Sequence, residues 1–177
     1  QDDLSWAYAQ FISQGSIFSI FLDEPSSIDV IDVNQDGELD VLAGFASHNK
    51  VIWFENTGSE SFIVHTITSS AMAARAVLGT DLDKDGDVDI LVASFGDDTI
   101  AWYDNNGSNL FDRRVITDEV DGPTDMVVSD IDGDGDLDIV ATSWNDSRLT
   151  WHENDGSQTF TSHLISNQLT HANSVDI

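Results

Sequence analysis

Short apolar runs separated by polar turns recur along this chain, and no segment keeps a helical spacing of apolar residues over several turns. Val41-Leu42-Ala43, Ile90-Leu91-Val92 and Ile139-Val140-Ala141 are apolar at consecutive positions, which predicts strands covered on both faces. Before each run, a segment over 28–31, 77–80 or 126–129 reads as a preceding strand. After each, a segment over 51–54, 100–103 or 149–152 leads into Trp53, Trp102 or Trp151. A fourth strand begins at Phe62, Phe111 or Phe160 and runs to Ile67, Ile116 or Ile165. Between third and fourth strands lies Asn-x-Gly-Ser, at 56–59, 105–108 and 154–157, which is turn chemistry.

All these positions repeat at an interval of 49 residues without insertion or deletion. A fixed period of this size marks an architecture in which each unit is one supersecondary element that buries its faces against its neighbours. The predicted fold is all-β: a β-propeller, or partial propeller, of four-stranded antiparallel blades. An open stack of sheets satisfies the same pattern. The blades are expected at 24–72, 73–121 and 122–170. Residues 1–23 read as the last two strands of a preceding blade, and 171–177 as the first strand of a truncated fourth. Propellers commonly close with four to eight blades, so a piece of a longer protein is expected. The other possibility is a chain that covers its open blade edges with another copy of itself.

The link between first and second strands is the most chemically specific part of the unit. It reads DVNQDGELD over 32–40, DLDKDGDVD over 81–89 and DIDGDGDLD over 130–138. Four or five carboxylates within nine residues repel one another unless a cation sits among them. Oxygen side chains at the first, third, fifth and ninth positions can converge on one ion. These are Asp32, Asn34, Asp36 and Asp40; Asp81, Asp83, Asp85 and Asp89; and Asp130, Asp132, Asp134 and Asp138. A helix–loop–helix calcium site carries a bidentate Glu at its twelfth position, whereas this chain has Ala43, Val92 and Ala141 there. The ninth-position aspartates are read as taking that ligand's part, and about three calcium ions are expected, one per repeat.

The repeat resembles the FG-GAP/VCBS family, found in integrin α-subunit propellers, fungal propeller lectins and many secreted proteins. The similarity spans roughly 24–170 and rests on the D-x-[DN]-x-D-G-x-x-D loops. Only Phe95-Gly96 keeps the name-giving pair, and no Gly-Ala-Pro follows, which places the chain nearer the VCBS branch. The resemblance implies calcium in each loop with a backbone carbonyl from the seventh position, here Glu38, Asp87 and Asp136.

Charge narrows the partners. The chain of 177 residues carries 33 acidic against six basic residues and a formal net charge of −27, which disfavours nucleic acid and anionic membranes. Cysteine is absent, so neither disulfides nor thiol chemistry contribute. No stretch is long and apolar enough for membrane insertion. Loops of this type fill at millimolar calcium, which points to an extracellular, secreted or cell-surface setting. Asn106 and Asn145 open glycosylation acceptor patterns.

No nucleophile motif or phosphate-cradling loop is present, and the histidines at 48, 65, 152, 163 and 171 form no spaced metal motif, so an enzyme is not expected. In a four-stranded meander the acidic loops share a face with the Asn-x-Gly turns. The other face is built from 47–50, 96–99, 145–148, 69–75, 118–124 and 167–173, which differ between repeats. Either drift in exposed loops or recognition of a protein or glycan ligand produces that variation. The expected function is a non-catalytic calcium-binding module for binding, adhesion or assembly. The alternatives are a self-assembling structural protein, forming homo-oligomers through open blade edges, and an accessory domain of a larger secreted enzyme.

Overall fold

The computed structural model describes residues 24–59 and 61–176. The expected partial blade at 1–23 lies outside them. Twelve strands form three four-stranded antiparallel sheets. The first contains β1 (Ser27–Ile31), β2 (Asp40–Phe45), β3 (Lys50–Asn56) and β4 (Phe62–Thr68). The second contains β5 (Ala74–Thr80), β6 (Asp89–Ser94), β7 (Thr99–Asn105) and β8 (Phe111–Thr117). The third contains β9 (Pro123–Ser129), β10 (Asp138–Ser143), β11 (Arg148–Asn154) and β12 (Phe160–Ser166). Strands follow chain order within each sheet, so each is a meander, and the sheets are blades of a β-propeller. The one helical element among the described residues is a 3-10 turn at Ala46–His48.

The repeat extends to small irregularities. The pairing of third with fourth strand shifts register at Val51/Ile52, Ile100/Ala101 and Leu149/Thr150. Such a bulge sharpens local twist at the same point of every blade.

Every residue of β6 and of β10 is buried, as their unbroken apolar runs require. Alternate side chains of β6 feed two different cores. Ile90 and Val92 join Val77, Ala101 and Tyr103 against Leu42, Val51 and Trp53 of the first blade. Leu91 and Ala93 join Ile100 and Trp102 against Met126, Ile139 and Ala141 of the third. Trp53 and Trp102 are therefore packing residues of the inter-blade seams. The first strands crowd together, β5 lying on β1 and β2, and β9 on β5 and β6.

Short polar links tie neighbouring first strands. The Ser26 hydroxyl donates to the Ala74 carbonyl, the Val77 amide to Ser27 Oγ and the Gly79 amide to Asp29 Oδ2. The segment after β12 makes the repeat-equivalent pair: Thr124 Oγ1 donates to the Ala172 carbonyl at 2.9 Å, and the Val175 amide to Asp125 Oδ2 at 3.0 Å. Residues 172–176 form no strand pairing of their own.

Candidate metal loops and the faces of the blades

Each acidic loop is folded by its own carboxylates. The first-position aspartate accepts from the sixth-position glycine amide: Asp32 from Gly37 at 2.8 Å, Asp81 from Gly86 at 3.2 Å and Asp130 from Gly135 at 3.0 Å. Those glycines have φ of 95°, 100° and 100°, a region closed to most side chains. The third-position oxygens of Asn34, Asp83 and Asp132 accept from the fifth-position amide, and those of Asp36, Asp85 and Asp134 from the seventh.

The ninth-position aspartates Asp40, Asp89 and Asp138 are wholly buried. Asp40 accepts from the amides of Val33 and Asn56 and from Trp53 Nε1. Asp89 accepts from Leu82 and Asn105, and Asp138 from Ile131 and Asn154. Each therefore joins the loop to the end of the third strand. The aligned asparagines complete that join, since Asn56, Asn105 and Asn154 donate side-chain amides to the carbonyls of Leu39, Val88 and Leu137. Their oxygens accept from the turn glycines Gly58, Gly107 and Gly156. The Asn-x-Gly pattern thus serves the acidic loop as well as the turn.

Carboxylate oxygens of Asp81, Asp83 and Asp89 lie within 4.8 Å of one another, as do those of Asp130, Asp132 and Asp138. In the first loop the corresponding third residue is the amide Asn34. Asp85 and Asp134 stand outside these groups, and Asp36 bonds Asn34 Nδ2. The residues fit a hard cation by their chemistry, since all the donors are oxygens. One atom fits it directly: Asp81 Oδ1 is buried with no hydrogen-bond partner. Burial pushes the Asp89 carboxyl up to about 7. The amides of Asn105 and Leu82 oppose the rise, and the charges of Asp83 and Asp104 add to it. A carboxylate so placed is costly to ionise until a positive charge arrives. Two seventh-position side chains, of Asp136 and Asp87, lie against neighbouring residues. Asp136 pairs with Lys84 at 2.6 Å, and a Cβ on Gly107 would stand 2.7 Å from Asp87 Oδ2.

The outer strands carry a repeated unit that was not legible as such. His65 stacks on Trp53 and His163 on Trp151, with centroids 4.4 and 4.6 Å apart, and each imidazole meets Glu55 or Glu153 at 2.6 Å. In the second blade Arg114 lies 4.8 Å over Trp102 and pairs with Asp104. The 49-residue register aligns these positions, but only the fold shows that they touch. A cavity of about 350 Å³ between the first two blades is lined by Trp53, His65, Ile67, Asn109, Leu110 and Phe111. At the next seam the longer Gln158 replaces Asn109 and bonds Arg114.

On the face away from the acidic loops, Ala73 and Gly122 donate backbone amides to Asn49 and Asp98 side chains. The exposed groups there differ from seam to seam. Arg75 covers Phe95, Asn145 bonds Asp121, and half-exposed Trp144 stands 4.5 Å from His171. Among the described residues no helix is long and apolar enough to cross a membrane.

The FG-GAP-like repeat model matches the chain three times, at residues 32–92, 81–141 and 130–177. Each match begins at the first aspartate of an acidic loop. Comparison with curated proteins gave no match. Among solved structures the chain is similar to a lectin of Agrocybe aegerita described for specific recognition of non-reducing terminal N-acetylglucosamine. The identity is 21% and the TM-score 0.54, over 81% of this chain and 39% of that one. The likeness is one of fold, and the chain spans about two fifths of the lectin's length.

Proposed function

The chain belongs to the FG-GAP-like repeat family, and from that premise we propose a non-catalytic, calcium-stabilised propeller module that binds a ligand outside the cell. The observation that carries the reading is the buried, unpartnered Asp81 Oδ1 amid converging carboxylates. Asp32, Asn34, Asp36 and Asp40 would hold one ion, with the Glu38 carbonyl. Asp81, Asp83, Asp85, Asp89 and the Asp87 carbonyl would hold a second, and Asp130, Asp132, Asp134, Asp138 and the Asp136 carbonyl a third. Calcium supplies charge neutralisation that lets each loop fold tightly, so its binding is coupled to stability. The chain's part is to present oxygens and to transmit the loop's order to the third strand through the ninth-position aspartate. An extracellular setting follows from the millimolar calcium such loops require.

The ligand-binding face in this reading is the one opposite the acidic loops, where Trp144, His171, Asp121, Asn145 and Arg75 break the repeat. A protein or a glycan would bind there; the similar fungal lectin makes terminal N-acetylglucosamine the first glycan to try. We also propose that the segment expected as a first strand at 171–177 takes, over its described residues 171–176, the place of a first strand beside the third blade, supported by the contacts of Ala172 and Val175.

The test is thermal melting in millimolar calcium and in chelator, followed by a glycan array in both. Three ions well above their dissociation constants should raise the melting temperature by at least about 10 °C. Identical melting in the two buffers would sink the calcium reading, and calcium-stabilised protein silent on glycans would leave protein ligands. A second reading, self-association through blade edges, is favoured by Val115 and Leu164, half-exposed apolar residues on the edge strands β8 and β12. Light scattering across a concentration series distinguishes it: a constant monomer mass excludes it.

A further inference from the structure

The second and third acidic loops carry the same five acidic positions, so their ligand chemistry alone gives them equal cation affinity. Their neighbours differ. The fourth loop position of one blade reaches across the seam to the loop of the next: Gln35 donates to the Gly86 carbonyl, and Lys84 to the Gly135 carbonyl. Lys84 also meets Asp136 Oδ1 at 2.6 Å. Across the seams the second loop thus receives only neutral amides, Gln35 on its Gly86 carbonyl and Gln158 on Asp83 Oδ2, and the third receives a full positive charge. At the third loop the same position is Gly133, which has no side chain to send onward.

We infer that Lys84 is a tethered counter-ion of the third loop, occupying its negative field and making it a weaker calcium site than the second. The inference rests on the calcium reading above. Gln35 and Lys84 both hold left-handed backbone, with φ of 58° and 62°, where glycine sits without cost in the third loop. Their side chains are therefore kept at some conformational expense, and in both blades the side chain spans the seam. The groups facing the ammonium belong to the third loop: Asp136 bonds it, and Asp136, Asp134 and Asp130 act on it through their charges. A calcium ion entering that loop would meet the positive charge that Lys84 already holds against Asp136. Repulsion between a single and a double charge on one solvent-exposed loop, partly screened by salt, changes affinity by about three- to ten-fold.

The three sixth-position glycine amides report the loops separately, because each bonds the first aspartate of its own loop. Protein labelled with nitrogen-15 glycine is titrated with calcium at low salt. In the wild type the Gly135 midpoint should lie at higher calcium than the Gly86 midpoint. Lys84→Gln should lower the Gly135 midpoint about three- to ten-fold and leave Gly37 unmoved, and the gain should narrow as salt is raised. The reciprocal Gln35→Lys should raise the Gly86 midpoint by a similar factor. Calcium responses at all three glycines with the Gly135 midpoint unchanged in Lys84→Gln overturn the counter-ion role and leave the calcium reading standing. Glycine amides that ignore calcium altogether overturn both.

Discussion

Asp40 shows what one residue can hold in this fold. It is wholly buried, yet three donors converge on it: two backbone amides and the Trp53 indole. Asp40→Ala would leave those donors unsatisfied inside the blade, at a cost of about 3–5 kcal/mol. Asp40→Asn keeps one acceptor and should cost less; chemical denaturation of both variants in calcium orders them. His152 is the other residue on which a prediction turns. It aligns with Phe54 and Tyr103, is buried, and spends its nitrogens on Thr150 and Ser162. Burial, with the nearby His163 charge adding to it, pushes its imidazole down to about 4. A group depressed in the fold contributes stability above its ordinary value of 6.5 that is lost as pH falls toward 4. The loss is about 3 kcal/mol. The raised Asp89 carboxyl acts in the opposite sense over the same range, so the test is the difference between two proteins: His152→Phe should gain on the wild type in melting temperature as pH falls from 6.5 to 4, while lying within a few degrees of it at neutral pH. An unchanged slope in the variant would place the acid sensitivity elsewhere.

At the scale of elements, the strands were largely legible and their joins were not. The apolar runs at 41–43, 90–92 and 139–141 became β2, β6 and β10, because side chains that alternate between two cores leave no polar position on either face. First strands proved longer than the sequence indicated, β5 starting at Ala74 and β9 at Pro123, since the early residues Ala74-Arg75-Ala76 and Pro123-Thr124-Asp125 lack the large apolar side chains that mark a strand. The polar links at the inner edge are tertiary: Ser26 and Ser27 meet residues some fifty positions away. Their counterpart, Asp125 with the Val175 amide, gives a test of the proposed strand site at the chain's end. Asp125→Ala should speed hydrogen exchange at Val175 several-fold and leave β10 amides protected. Equal exchange in both proteins would mean that this bond does not seat the segment.

The whole molecule is governed by a formal charge of −27 distributed around loops that gather carboxylates. Without a bound cation that charge opposes compaction, and dissolved salt screens it. In chelator, raising sodium chloride from low salt to about 0.5 M should raise the melting temperature; in calcium the same change should do much less. A salt response equal in the two conditions would separate the charge from the loops. The seams differ although the blades repeat. Asn109 leaves a cavity open between the first two blades, whereas Gln158 and Arg114 span the corresponding place at the next. One methylene and one change of base thus make neighbouring seams unlike.

By itself the sequence determined the period, the strand content, the acidic loops and the family resemblance, because these depend on residues close together in the chain or on an unbroken interval. The family match and the three sheets bear out the repeat and the fold. Only the tertiary structure decided what crosses the seams. That Lys84 serves the third loop, that histidines sit on the tryptophans, and that His152 is buried follow from how one sheet is laid on the next. Local patterning records which face a side chain takes, whereas its partner is set by the rigid-body stacking of sheets. No pattern within one repeat encodes that stacking.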